Sequence, residues 1–258
     1  MAAQTIAEVL TALDAVIERA RVERSRTGYF AVLYREVTRR VRDGIAAGRF
    51  EDGARMERLD VIFANRYLHA LERHRNGEAP FRSWGIAFEA ARAWPPLILQ
   101  HLLLGINAHI NLDLGIAAAE TAPGDTLPAL RRDFDEITLV LGEMLDGVQD
   151  RIGDVSPWFW VLDRVGERTD EEVFSFVLGK ARGFAWQLAG QLAPASAPER
   201  ATLIALTDQA VALLGRRVRS PRWLLRPVLA AVRARESSDA AVVMTVLDGT
   251  SLTSSRSG

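Results

Sequence analysis

The run HLLLGINAHINLDLGIAAAE, residues 101–120, sets His101, Asn107, His109, Asn111, Asp113 and Glu120 among apolar neighbours. His109 and Asp113 stand four residues apart, a spacing that places an imidazole and a carboxylate side by side on one helical face. That pair suits two chemistries. It could supply two ligands of a divalent metal such as zinc, which would lower the pKa of a bound water toward about 7 and make a nucleophile. Without a metal, Asp113 could polarise His109 as a general base. His101 lies about 12 Å away along a helix axis, too far to share a metal with the pair.

A completing group must therefore come from another helix. In ERLDVIFANRYLHAL, residues 57–71, Asp60 falls inside the apolar arc of Leu59, Phe63, Ala64, Tyr67 and Leu71. A carboxylate has no reason to be there unless it meets a partner. The candidate catalytic residues are thus His109, Asp113 and Asp60, with His109 and Asp113 also the candidate metal ligands. At 100° per residue, Gln100, Asn107 and Asn111 form one ridge of the helix and His101, His109 and Asp113 the opposite one. His101, Asn107 and Asn111 are candidates for orienting a ligand or substrate. The same side chains also fit a satisfied hydrogen-bond network that holds neighbouring helices in register. His69 and His74 fall on a polar face beside Arg66.

Other groups are placed more loosely. Trp158, Phe159 and Trp160 could line an apolar pocket with Tyr67, or wedge between helices. Arg182 and Trp186, one turn apart, could stack as a cation–π pair, and Arg182 is a candidate ligand contact. Residues 216–235 hold seven arginines and no acid; such a segment can contact an acidic surface or neutralise the rest of the chain.

The elements that must position these groups are helices. Apolar residues recur at spacings of three and four along almost the whole chain, and alternating strand patterns bounded by turns are nearly absent. This predicts an all-α protein, a multi-helix bundle around a buried central helix over about 96–119. Residues 1–236 read as one helical domain and 237–258 as a partly disordered tail rich in Ser, Thr and Gly. The central run is long enough to span a bilayer, but its polar residues, a carboxylate near the middle included, argue against that. With 258 residues, 48% of them hydrophobic, and a net charge of −1, a sizeable core is affordable and no global pull toward nucleic acid exists. There is no cysteine, which removes thiolate sites and fits a cytoplasmic location. Phosphate-loop, dinucleotide-loop, nucleophile-elbow and zinc-protease motifs are all missing.

The segments beginning GYFAVLYREV, the core NAHINLDL, SPWFWVLDRVG and RGFAW resemble the bacterial family named domain of unknown function 5995, over residues 28–193. That resemblance implies a helical domain and no particular activity. A more distant likeness is to zinc-dependent phospholipase C and related nucleases, in which a ligand His is followed four residues later by a ligand Asp. His109 and Asp113 match, but Ala117 and Ala119 stand where those enzymes carry a Pro and a further His, so at most a smaller metal site is implied. The expectation is a hydrolase using a metal or a His/Asp acid–base centre on a small-molecule substrate. The alternatives are a non-catalytic module binding a small apolar ligand, and a structural or partner-binding helical protein.

Overall fold

Side-chain caps start several helices. Thr5 Oγ1 accepts from the Glu8 amide at 3.2 Å at the head of α1 (Ile6–Val22), and Asp52 accepts from the Arg55 amide at 2.9 Å at the head of α3 (Gly53–Arg75). Each cap satisfies an amide that has no partner within its helix. A computed structural model describes residues 2–93, 96–156, 170–220 and 226–249. Between α1 and α3 lies α2 (Gly28–Ala46), and α4 (Arg82–Arg92) follows. The central helix is α5 (Ile98–Ala108), a π-helical turn (His109–Asp113) and α6 (Leu114–Thr121) in unbroken succession. After a 3₁₀ segment (Gly124–Leu130) come α7 (Arg131–Val155), α8 (Asp170–Leu192), α9 (Ala197–Arg219), α10 (Arg226–Arg233) and α11 (Ala240–Leu247). No strand occurs among the described residues, and the protein is all-α.

The central helix is walled on several sides. α2, α3 and α4 pack on one side of it, α9 on another, and α8 lies along α6. Gly115 permits the last contact, because a Cβ there would stand 2.7 Å from the Ala185 carbonyl oxygen. Gly105 likewise leaves the surface on which the Phe30 ring rests. By length and composition Ile98–Thr121 could cross a membrane, yet 83% of its most apolar window is buried inside the protein.

Residues 240–247 differ from expectation. Instead of lying in a tail, they form α11, and Ala240, Val243, Met244 and Leu247 enter the main core. Their spacing of three, four and seven is a helical stripe that the polar residues flanking it obscure. Asp248 then ties α11 down, pairing with Arg35 and with Arg21 at 3.1 Å. The expectation of disorder for residues 250–258 lies outside the described residues.

Candidate active site

The two polar ridges of the central helix face different neighbours. On the α9 side, Gln100 donates to the Val218 carbonyl at 2.6 Å, Asn107 to the Val211 carbonyl at 3.0 Å, and Asn111 to Asn107 Oδ1 at 3.0 Å. Gln100 and Asn107 thus link the central helix to α9, and Asn111 braces Asn107 from one turn on. On the other side, His101, His109 and Asp113 face α2, α3 and α4.

His109 and Asp113 bracket the π turn, and His109 Nδ1 stands 3.2 Å from Asp113 Oδ2. A wide turn inserted in an α-helix costs stability and recurs at functional sites. The same Asp113 oxygen accepts from the Trp84 indole at 2.8 Å, and Oδ1 accepts from Arg66 Nε at 3.0 Å. A carboxylate only accepts, so the His109 proton resides on Nδ1 and the lone pair on Nε2. His109 is 2% exposed and Asp113 1%, and Nε2 has no hydrogen-bond partner.

An aromatic box encloses the imidazole. Phe63 stacks on it at 3.5 Å between centroids with the planes 6° apart, and Tyr34 presents an edge at 4.5 Å. Phe30, Trp84 and Tyr67 complete the enclosure at 5.6, 5.9 and 6.2 Å. Phe30 and Tyr34 stand four apart on α2, as Phe63 and Tyr67 do on α3, so each helix projects two rings onto one face. Phe63 alone of the five rings is partly exposed. Burial lowers the His109 pKa below 6.5 against the opposing pull of Asp113, which leaves the ring neutral at pH 7.

Further buried polar atoms around this box lack partners: the Tyr34 and Tyr67 hydroxyls, Thr38 Oγ1 and Asp60 Oδ2. The Tyr34 hydroxyl approaches Thr38 one turn on without a well-formed hydrogen bond, and it feels the charges of both Asp60 and Asp113, while burial raises its pKa well above 10. Asp60 does not meet His109 through a hydrogen bond. It is 5% exposed, and burial, with Glu57 one turn away, pushes its pKa up to about 7.

The remaining candidates are placed elsewhere. His101 packs edge-on against Tyr29 at 5.8 Å. Neither of its nitrogens makes a well-formed hydrogen bond, although the Pro96 carbonyl faces the ring, and burial takes its pKa to about 3. Arg182 lies with its guanidinium 4.5 Å over Phe134 and donates to the Phe134 carbonyl, while Trp186 receives Arg131 at 5.0 Å. These contacts join α8 to α7 rather than to the His109 cluster. Trp158, Phe159 and Trp160 lie outside the described residues. Among the described residues no group of three or more His, Asp or Glu is arranged to hold a metal ion, and both Asp113 oxygens are already engaged.

Arg66, Trp84, Phe30, Tyr34 and Phe63 are site residues that the sequence reading leaves out. Arg66 sits at the edge of a polar face and reads as solvated, but its side chain is only 18% exposed. The paired aromatics at four-residue spacing on α2 and α3 are the signal that could have found the box.

An all-α bundle with a carboxylate-held histidine buried on its central helix is the class these features define. A model of the family of unknown function DUF5995 matches residues 6–221, and the chain belongs to that family. No curated protein and no solved structure matches.

Proposed function

We propose that this protein is a metal-independent acid–base hydrolase of small substrates with an apolar or aromatic body, and that His109 is its general base. The observation that carries the reading is the bare Nε2 of His109: its opposite nitrogen is held by a carboxylate that Arg66 and Trp84 hold in turn. An imidazole serving only to brace helices would be expected to use both nitrogens, since an unpaired buried polar atom costs about 1–3 kcal/mol. In the reaction Nε2 takes a proton from water, the hydroxide attacks an electrophilic carbonyl, and Asp113 stabilises the imidazolium, which then protonates the leaving group. Either phenol, Tyr34 or Tyr67, is free to donate to the developing oxyanion. Phe63 is the side chain that must swing aside to admit substrate.

The test is a panel of p-nitrophenyl esters and aryl amides assayed in the presence of a chelator. His109→Gln is expected to lower kcat/KM by about 10²–10⁴-fold with the far-ultraviolet circular dichroism unchanged. Equal activity in the variant, or no cleavage of any substrate, refutes the proposal. So does stoichiometric zinc, manganese or iron by elemental analysis that disappears in His109→Ala. The unpartnered phenols and the aromatic walls also favour a second reading, a module binding a small apolar ligand through one or two hydrogen bonds. Saturable binding of such a ligand without turnover would select it.

A further inference from the structure

A cavity of about 640 Å³ lies away from His109, where the start of α5, the end of α9 and α10 meet. That volume suits a small organic ligand. One wall is a single face of α10 and its next turn: Arg226, Leu229, Ala230, Arg233 and Ala234, at the i, i+3, i+4, i+7, i+8 spacing of a helical stripe. Ala93 and Pro96 supply apolar surface opposite, and Arg219 and Ser220 close the α9 end. Gln100 forms part of the wall, yet both ends of its amide are spent, accepting from the Leu97 amide at 2.9 Å and donating to the Val218 carbonyl. It braces the wall and leaves recognition to the arginines.

Among the described residues no acidic side chain lines this cavity. Arg233 pairs with Glu236 at 2.8 Å, and that carboxylate is already shared with Ser156 Oγ and the Ile98 amide. Arg219 reaches Glu89 at 3.1 Å, and Glu89 is largely in solvent. The cavity therefore combines an apolar floor with excess positive charge at its rim.

We propose that this cavity binds a monomeric amphiphile with a single anionic head, of the kind a medium-chain carboxylate represents. The head would lie against Arg226 and Arg219, and the apolar body along Leu229, Ala230 and Pro96. The site uses the arginine-rich segment as ligand-binding charge, and it is independent of the His109 centre.

Isothermal titration with decanoate, below its micelle concentration, tests the idea against decanol and decyltrimethylammonium as probes. Decanoate is expected to saturate one to one, with weaker binding at higher salt and no measurable binding of the ammonium. Arg226→Gln should weaken it by about tenfold, and adding Arg219→Gln should weaken it further. His109→Gln should leave it unchanged. Equal affinity for decanol, equal affinity in the double variant or the absence of saturable decanoate binding would overturn the proposal. Cosedimentation with phosphatidylglycerol vesicles in the absence of decanoate binding would also overturn it, because the charge would then be reading a bilayer.

Discussion

Asp60→Asn removes a buried ionisable carboxyl with little change in side-chain shape. In the wild type, burial moves the Asp60 pKa from 3.8 to about 7. The folded state thus holds a proton that the unfolded chain has released, and stability falls as pH rises through that interval. Three decades of proton affinity correspond to a ceiling of about 4 kcal/mol, of which about 2.5 kcal/mol develops between pH 5 and 8. The Asn amide has its own desolvation cost, but that offset is the same at every pH. The difference in unfolding free energy between variant and wild type, measured by urea titration across this range, should therefore climb in favour of the variant and level off above about pH 7.5. Taking the difference cancels the histidines, which titrate alike in both proteins. A difference flat to within about 0.5 kcal/mol across the range would mean that Asp60 ionises as it does in water. A cation holding the carboxylate charged would likewise leave the difference flat here and would move its slope below about pH 4.

Other changes probe the rest of the cluster. Asp113→Asn removes the charge that Arg66 pairs with and leaves one accepting oxygen where two serve Arg66, Trp84 and His109 Nδ1; it should cost about 3 kcal/mol by chemical denaturation, the low end for breaking a buried pair because Arg66 is partly in water. Phe63→Ala uncovers the stacked face of His109, so diethylpyrocarbonate should modify His109 faster, as read by peptide mass spectrometry, and an unchanged rate would show that Phe63 does not gate the ring. His101→Leu should be neutral or stabilising and should flatten the acid limb. The His101 pKa is depressed from 6.5 to about 3, so its contribution is present above about pH 6.5 and is lost as pH falls toward 3. Gly115→Ala drives a Cβ against the Ala185 backbone and should cost about 1–3 kcal/mol in thermal or urea unfolding.

The fold is readable in the sequence because its information is periodic. Spacings of three and four announce each long helix. α11 escapes because eight residues between polar flanks give the period little room to repeat. The pairing of His109 with Asp113 also follows from local spacing, and so does the division of the central helix into two ridges. What those ridges meet does not, since that depends on helices distant in sequence. Asp60 is buried but makes no hydrogen bond with His109, whereas Arg66 crosses from a polar face to reach Asp113. The π turn is hidden for a different reason: no residue type marks it.

The box also reverses the usual order of proton affinity. In water a carboxylic acid gives up its proton well before an imidazolium does. Here burial raises Asp60 to about 7 and lowers His109 below 6.5, so the carboxyl holds its proton in a pH range where the imidazole is already neutral. The Tyr34 ring stands 4.5 Å from that of His109, and its hydroxyl lies within the field of Asp60. Environments that push two titratable groups apart in this sense separate the acid from the base. Asp113, by contrast, accepts from an arginine and an indole in place of water. Two aspartates at similar depth are therefore given opposite work: one to hold a proton, the other to hold the ring that would take one.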